Sequence, residues 1–195
     1  DAGSGDRKAL LIHCSLAHHN VWEGVMAGLA NAYSMTAFDM PGHGAADDWD
    51  NDAGHGDYQL RTAEIAATFC DGPTHIIGHS FGATVALRFA VERPELVSGL
   101  TLIEPVFFAI ARHDGAESYN DHVKGFEPFA QAMQQGDREG AAQIFTEMWG
   151  AGVPWRLLPP QARRYIVDRI HLIPAGADAI ETDRDGVVPK LGQVD

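Results

Sequence analysis

A serine set between glycines, Gly78-His79-Ser80-Phe81-Gly82, is the one place in this sequence where residue types and spacing name a chemistry. A β-branched run from Thr74 to Ile77 leads into it, and an Ala-, Leu- and Val-rich stretch follows. Strand, G-x-S-x-G turn and helix together form a nucleophile elbow. Such a turn strains its central residue, so the neighbouring positions must be small, and Gly78, Gly82 and Ala83 are. The strain lifts the Ser80 hydroxyl clear of the sheet. The N-terminus of the following helix then favours negative charge developing on a substrate oxygen. The structural alternative is a glycine-rich turn whose serine merely caps the helix, but the flanking strand and helix favour the nucleophile.

A serine nucleophile needs a base and an acid, which in this arrangement follow it in the order serine, acid, histidine. The histidines after Ser80 are His113, His122 and His171, all in or near helical segments. The chain opens on Asp1 and stops at Asp195. The expectation is therefore that it is the middle of a longer protein, with the acid and histidine beyond residue 195. Glu104, at the end of the strand after the elbow, reads as a structural carboxylate rather than the acid.

Other clusters carry less. Ten histidines invite a metal reading, but no His-x-x-x-His with a glutamate lies on a helix and no paired cysteine ligands exist, so no metal is expected. His13 reads as a hydrogen-bonding anchor for its loop, with His18 and His19 near a pocket mouth. The run Asp47-Asp48-Trp49-Asp50-Asn51-Asp52 resembles the start of a calcium loop. Counted from Asp48, however, the sharp-turn glycine is Ala53 and the bidentate glutamate is Gln59, so it reads as a solvated loop.

The elements that must position Ser80 follow from periodicity. Apolar strands are expected at 9–14, 33–38, 74–77 and 98–104. Between them run a helix opened by an Asn20/Glu23 capping box, a helix through Leu60, Ala63, Ala66, Ala67 and Cys70, and the helix after the elbow. Strands alternating with helices predict an α/β fold, a mostly parallel sheet with helices on both faces. After Pro105 the alternation stops. Helices are expected around 119–134, 137–149 and 159–173, with Asp137 as a cap and Pro159-Pro160 at a helix start, which suggests an inserted lid. Phe126, Phe129, Phe145, Trp149 and Trp155 there are mostly core, with one or two facing substrate. The polar tail from Gly176 is given no element.

LLIHCSLAHHNVW after the first strand, FDMPGHG after the second, IIGHSFG at the elbow and LIEP at the next strand end together resemble the α/β-hydrolase fold family, specifically its lid-bearing, cofactor-free members. The resemblance spans roughly residues 8–180. It implies an incomplete core at 1–105, a helical lid at 106–180 and a return segment at 181–195. It also implies a serine hydrolase acting on a small ester, lactone, amide or C–C substrate without a cofactor. Ser80 would be catalytic, the backbone N–H groups of Phe81 and Ser15 would form the oxyanion hole, and Leu16 and His79 would bind substrate. Family members commonly carry His-Gly where this chain has His13-Cys14. The rival reading is a non-catalytic small-ligand-binding member, or a fragment inactive for want of its acid and histidine.

Composition argues against nucleic acid and a membrane as partners; a small-molecule substrate is what the resemblance implies. At 195 residues and 45% apolar, the chain can bury a core. A formal charge of −13 argues against nucleic acid. No run approaches the length of a membrane span, and no signal-peptide pattern is present. Cys14 and Cys70 read as small buried hydrophobes, and the expected setting is cytoplasmic.

Overall fold

Four short strands carry the site in the computed structural model, which describes residues 1–50, 57–150 and 152–193. They are β1 (Arg7–Ile12), β2 (Tyr33–Phe38), β3 (Thr74–His79) and β4 (Val97–Ile103), all parallel in the order β2-β1-β3-β4. Alternation along each strand sends side chains to opposite faces. Leu10, Ile12 and Ile76 enter one cluster, with Tyr58, Ala63, Val85 and Phe89 of the helices α2 (Tyr58–Ala67) and α3 (Phe81–Glu92). Ala9, Leu11 and Ile77 enter another, with Trp22 and with Met26 of α1 (Glu23–Leu29). Both faces are thus covered, which is why the strand sequences are nearly continuous apolar runs.

The strand register brings two loops together. Ile12 lies opposite Gly78, so the loop after β1 and the turn after β3 leave the sheet side by side at its carboxyl edge. In open α/β sheets that edge is where ligands bind. At the other side of the sheet, Ala2 makes an antiparallel bridge to Met35 on the outer edge of β2.

Past β4 the chain is helical: α4 (Phe108–His113), α5 (Glu117–Gln134), α6 (Arg138–Trp149), α7 (Pro160–Arg169) and α8 (Leu172–Thr182). Asp137 caps α6 by accepting the Gly140 N–H at 2.9 Å, and Pro160 opens α7, as the sequence predicts. Phe129, Ala132, Ala141, Ala142, Trp155 and Ile170 give this region its own cluster. α8 returns to the sheet, where Leu172 joins the cluster of α2 and α3.

Three local expectations need correction. The first strand covers residues 7–12 rather than 9–14. The Asn20/Glu23 capping box does not form, because residues 19–22 make a 3-10 turn and the N-cap of α1 is Trp22. Val21 and Val25 face solvent, leaving Trp22 and Met26 as the buried anchors. The tail given no element contains most of α8, and a 3-10 turn at 188–193. The acidic-run reading falls partly on Asn51, Asp52 and Ala53, which lie outside the described residues.

Candidate active site

Ser80 has φ 54° and ψ −118°, a conformation non-glycine residues rarely hold. Backbone geometry enforces it. The Ser80 N–H donates to Ile103 O at 2.9 Å, anchoring the turn to β4, and Ser80 O accepts the Ala83 N–H at 3.0 Å to start α3. A Cβ on Gly78 would collide with the Gly82 carbonyl, and one on Gly82 with the carbonyls of Ile12 and His13. Both glycines are therefore required by close backbone approach. The Phe81 ring is buried and stacked on Tyr58 at 5.5 Å, and a Cβ on Gly176 of α8 would run into that ring.

The loop after β1 is held differently, by side chains. His13 and His43 are both buried, with ring centroids 5.0 Å apart. The Met40 N–H donates to His13 Nε2 at 3.0 Å, so the proton sits on Nδ1, which donates to Cys14 O at 2.8 Å. The Leu16 N–H donates to His43 Nε2 at 3.0 Å, so Nδ1 of His43 carries its proton toward Pro41 O at 3.1 Å. Burial lowers the His13 pKa to about 4, against the opposing pull of its bond to Cys14 O. Burial, with the neighbouring His13 second, lowers the His43 pKa to about 3. Both rings are neutral at physiological pH, as each must be to accept an N–H.

The positive backbone angle in this loop falls on Leu16, at φ 58°, rather than on Cys14. Burial raises the Cys14 thiol pKa, so it is a thiol rather than a thiolate.

Between the loop and the elbow lies a cavity of about 70 Å³ lined by Ser15, Ser80 and Phe81, with Phe126, Phe145, Trp149, Leu172 and Ile173 among its apolar walls. Among the described residues no hydrogen-bond partner is found for the N–H of Ser15 or Phe81, or for the Ser80 hydroxyl. A serine hydroxyl in an apolar pocket can attack a carbonyl carbon where free backbone N–H groups are placed to receive the oxyanion, and Ser15 and Phe81 line the same pocket as Ser80. No lining residue is titratable. A wider cleft of about 470 Å³ beside Asp39, Asp47, Asp48 and Arg61 holds no such nucleophile.

Of the residues singled out from the sequence, Ser80, Phe81 and Ser15 come together at this cavity. Leu16 and His79 do not line it. The Leu16 side chain packs into the helical cluster of Phe129 and Ile170, and His79 Nε2 lies 3.5 Å from Glu104 Oε2. The Glu104 side chain is 84% exposed, on backbone at φ 48°. Phe126, Phe145 and Trp149 face the cavity, while Phe129 and Trp155 are buried in the helical cluster. Sequence reasoning gave His43 no role beyond its loop and missed Tyr165: Leu16, which His43 holds, lies 27 residues away, and Gly44 and Ala17, which Tyr165 holds, lie 121 and 148 away. His43 sits in the FDMPGHG segment, so a motif marked the place without revealing the partner. Among the described residues, no group of His, Cys, Asp or Glu is arranged to hold a metal ion. No helix among them is long and apolar enough to cross a membrane.

Comparison with known proteins adds to this geometry. The alpha/beta hydrolase fold family matches residues 10–151. The chain is 30% identical over 105 residues to the pimeloyl-[acyl-carrier protein] methyl ester esterase of Nitrosomonas europaea, covering 54% of this chain and 40% of that protein. It is 28% identical over 210 residues to the enzyme of the same name from Neisseria meningitidis serogroup A, covering 92% of this chain and 64% of that one. Lipase LipV of Mycobacterium tuberculosis is 33% identical over 105 residues, 52% of this chain and 38% of the lipase. The chain thus spans less than two thirds of each of these curated relatives. Among solved structures, an alpha/beta hydrolase from Sphaerobacter thermophilus superposes with a TM-score of 0.61 at 19% identity, covering 94% of this chain and 68% of its own.

Proposed function

Because the chain belongs to the α/β-hydrolase fold family, we propose that it carries the nucleophile and oxyanion hole of a serine hydrolase acting on a small carboxylic ester. The observation that carries this reading is that the strained Ser80 lines, together with Phe81 and Ser15, one cavity whose other walls are apolar. The Ser80 Oγ attacks the acyl carbon, and the tetrahedral oxygen takes hydrogen bonds from the two N–H groups. The alcohol leaves, and water then releases the acyl group from Ser80. Walls of Phe126, Phe145, Trp149 and Ile173 suit an apolar acyl portion. The names of the Nitrosomonas and Neisseria esterases and of the mycobacterial lipase favour an ester over an amide or C–C bond. The base that takes the Ser80 proton comes, in this proposal, from outside the described residues. Two free cysteines suit a cytoplasmic setting.

The absence of any titratable lining residue favours, as a second reading, a ligand-binding protein built on the same pocket. Hydrolysis of a short-chain p-nitrophenyl ester by the intact protein separates the two. We expect turnover that Ser80→Ala lowers by at least about a thousandfold. Binding of the ester without turnover would establish the second reading.

A further inference from the structure

We propose that Tyr165, on the helical insertion, is a positioning residue for the oxyanion donor at Ser15, so that the lid helix α7 sets the alignment of the oxyanion hole. This role rests on the serine-hydrolase reading of the site.

The observation is a bridge made by one hydroxyl. The Tyr165 O–H donates to Ala17 O at 2.8 Å and accepts the Gly44 N–H at 2.9 Å. One side chain thereby joins three separate parts of the molecule: α7, the loop after β1 and the turn after β2. Ala17 closes a tight turn over the donor, since its N–H reaches Cys14 O at 3.3 Å with Ser15 and Leu16 between. Within that turn the Leu16 N–H is committed to His43, and the Leu16 side chain to the cluster of α5, α6 and Ile170. Apart from that backbone bond, the hydrogen bonds that hold this turn among the described residues come from side chains: His13 on Cys14 O, His43 on the Leu16 N–H and Tyr165 of α7 on Ala17 O.

The loop needs such a hold because it stores strain. Leu16 stands at φ 58°, a left-handed conformation that is unfavourable for a non-glycine residue. A strained loop persists only where its surroundings over-determine it. The Tyr165 ring is itself fixed, with the Arg169 guanidinium 3.9 Å from its centroid and the His18 ring edge-on at 5.9 Å. With that orientation locked, the hydroxyl presents one donor and one acceptor at fixed positions, and both are used.

The consequence is specific to the transition state. An oxyanion N–H acts where charge develops, so misaligning it lowers kcat and leaves ground-state binding nearly intact. Removing one such donor costs a hundredfold to a thousandfold, and a donor that is loosened rather than lost costs less.

The test is Tyr165→Phe in the intact protein, which keeps the ring and removes both hydrogen bonds. Ester kinetics and amide hydrogen exchange are measured together, with Ser80→Ala and the exposed α7 substitution Arg164→Ala alongside. The expected result is a fall in kcat of about tenfold with KM within about twofold, as for a partly misaligned donor. Exchange at Leu16 and Ala17 should quicken by about tenfold, and Arg164→Ala should alter neither. If Ser80→Ala abolishes turnover while Tyr165→Phe keeps its kcat, the positioning role is wrong and the hydrolase reading stands. A kcat loss with unchanged exchange at 16–17, or one that Arg164→Ala shares, likewise overturns the role. Turnover surviving Ser80→Ala overturns the hydrolase reading, and with it the positioning role of Tyr165.

Discussion

The two proposed oxyanion donors are the same chemical group, yet the molecule builds them by opposite means. The Phe81 N–H is placed by local backbone: a strand, two glycines packed against carbonyls, and the first turn of α3, all within residues 74–84 and the strands beside them. The loop that carries the Ser15 N–H is held by side chains, with His13 on Cys14 O, His43 on the Leu16 N–H and Tyr165 of α7 on Ala17 O. The first is rigid by steric necessity. The second is tunable, because each of its supports can be altered without touching the sheet. On the proposed reading, the nucleophile is fixed by the sheet while one donor is held from α7, so substrate preference can change through the helical segment without disturbing the sheet.

The contrast breaks most sharply at the elbow. Gly82→Ala puts a Cβ against the Ile12 and His13 carbonyls, backbone atoms that cannot turn aside. We expect a loss of about 3 kcal/mol or more in urea unfolding, and activity below detection. Unfolding within about 1 kcal/mol of the parent would show that the turn has more room than its geometry indicates.

At the side-chain-built donor the effects are smaller and depend on pH. His43→Phe strands the Leu16 N–H and should cost about 1–3 kcal/mol. In the parent, His13 and His43 stay neutral when folded, whereas in the unfolded chain each takes a proton near the ordinary value of 6.5. The unfolded state therefore binds more protons below that value, and stability falls with falling pH. From these two groups it should be level above about pH 7 and drop as pH falls through 6.5. The drop continues toward about 4 for His13 and about 3 for His43. Each histidine contributes at most about 1.4 kcal/mol per pH unit. Urea titrations between pH 7 and 5 should show a shallower slope in His43→Phe. An equal slope in the two proteins would contradict the buried neutral ring.

How much of the fold and site was legible in the sequence follows the same divide. The elbow was readable because its causes are local: β-branched residues before, glycines at fixed offsets, a helix former after. The strands were readable because burial on both faces leaves continuous apolar runs. The hold on the Ser15 loop was legible only at His13, whose ring does anchor the loop; Tyr165 reaches Ala17 across 148 positions, and no periodicity records such a contact. α8 escaped because its buried residues, Leu172, Gly176 and Ala179, are mostly small, and Gly176 is placed where a Cβ would run into the Phe81 ring rather than marking an apolar stripe. The Asn20/Glu23 pattern misled because the backbone before α1 is spent on a 3-10 turn tied down by the His19 N–H on Asp39, at 2.8 Å.

The smallest expected effect sharpens the comparison from the other side. If Ser15 contributes only its N–H, Ser15→Ala should hold kcat within about tenfold, since losing a true donor costs about a hundredfold or more. A loss of the larger size in steady-state ester kinetics would mean that the hydroxyl itself takes part.

Both donors matter only if Ser80 is the nucleophile, and one measurement reaches it directly. The intact protein is treated with a fluorophosphonate and the modified peptide is mapped by mass spectrometry. The account predicts a single phosphonylated residue, Ser80, and no labelling of Ser80→Ala. Labelling at another serine, or labelling that survives the substitution, would contradict it.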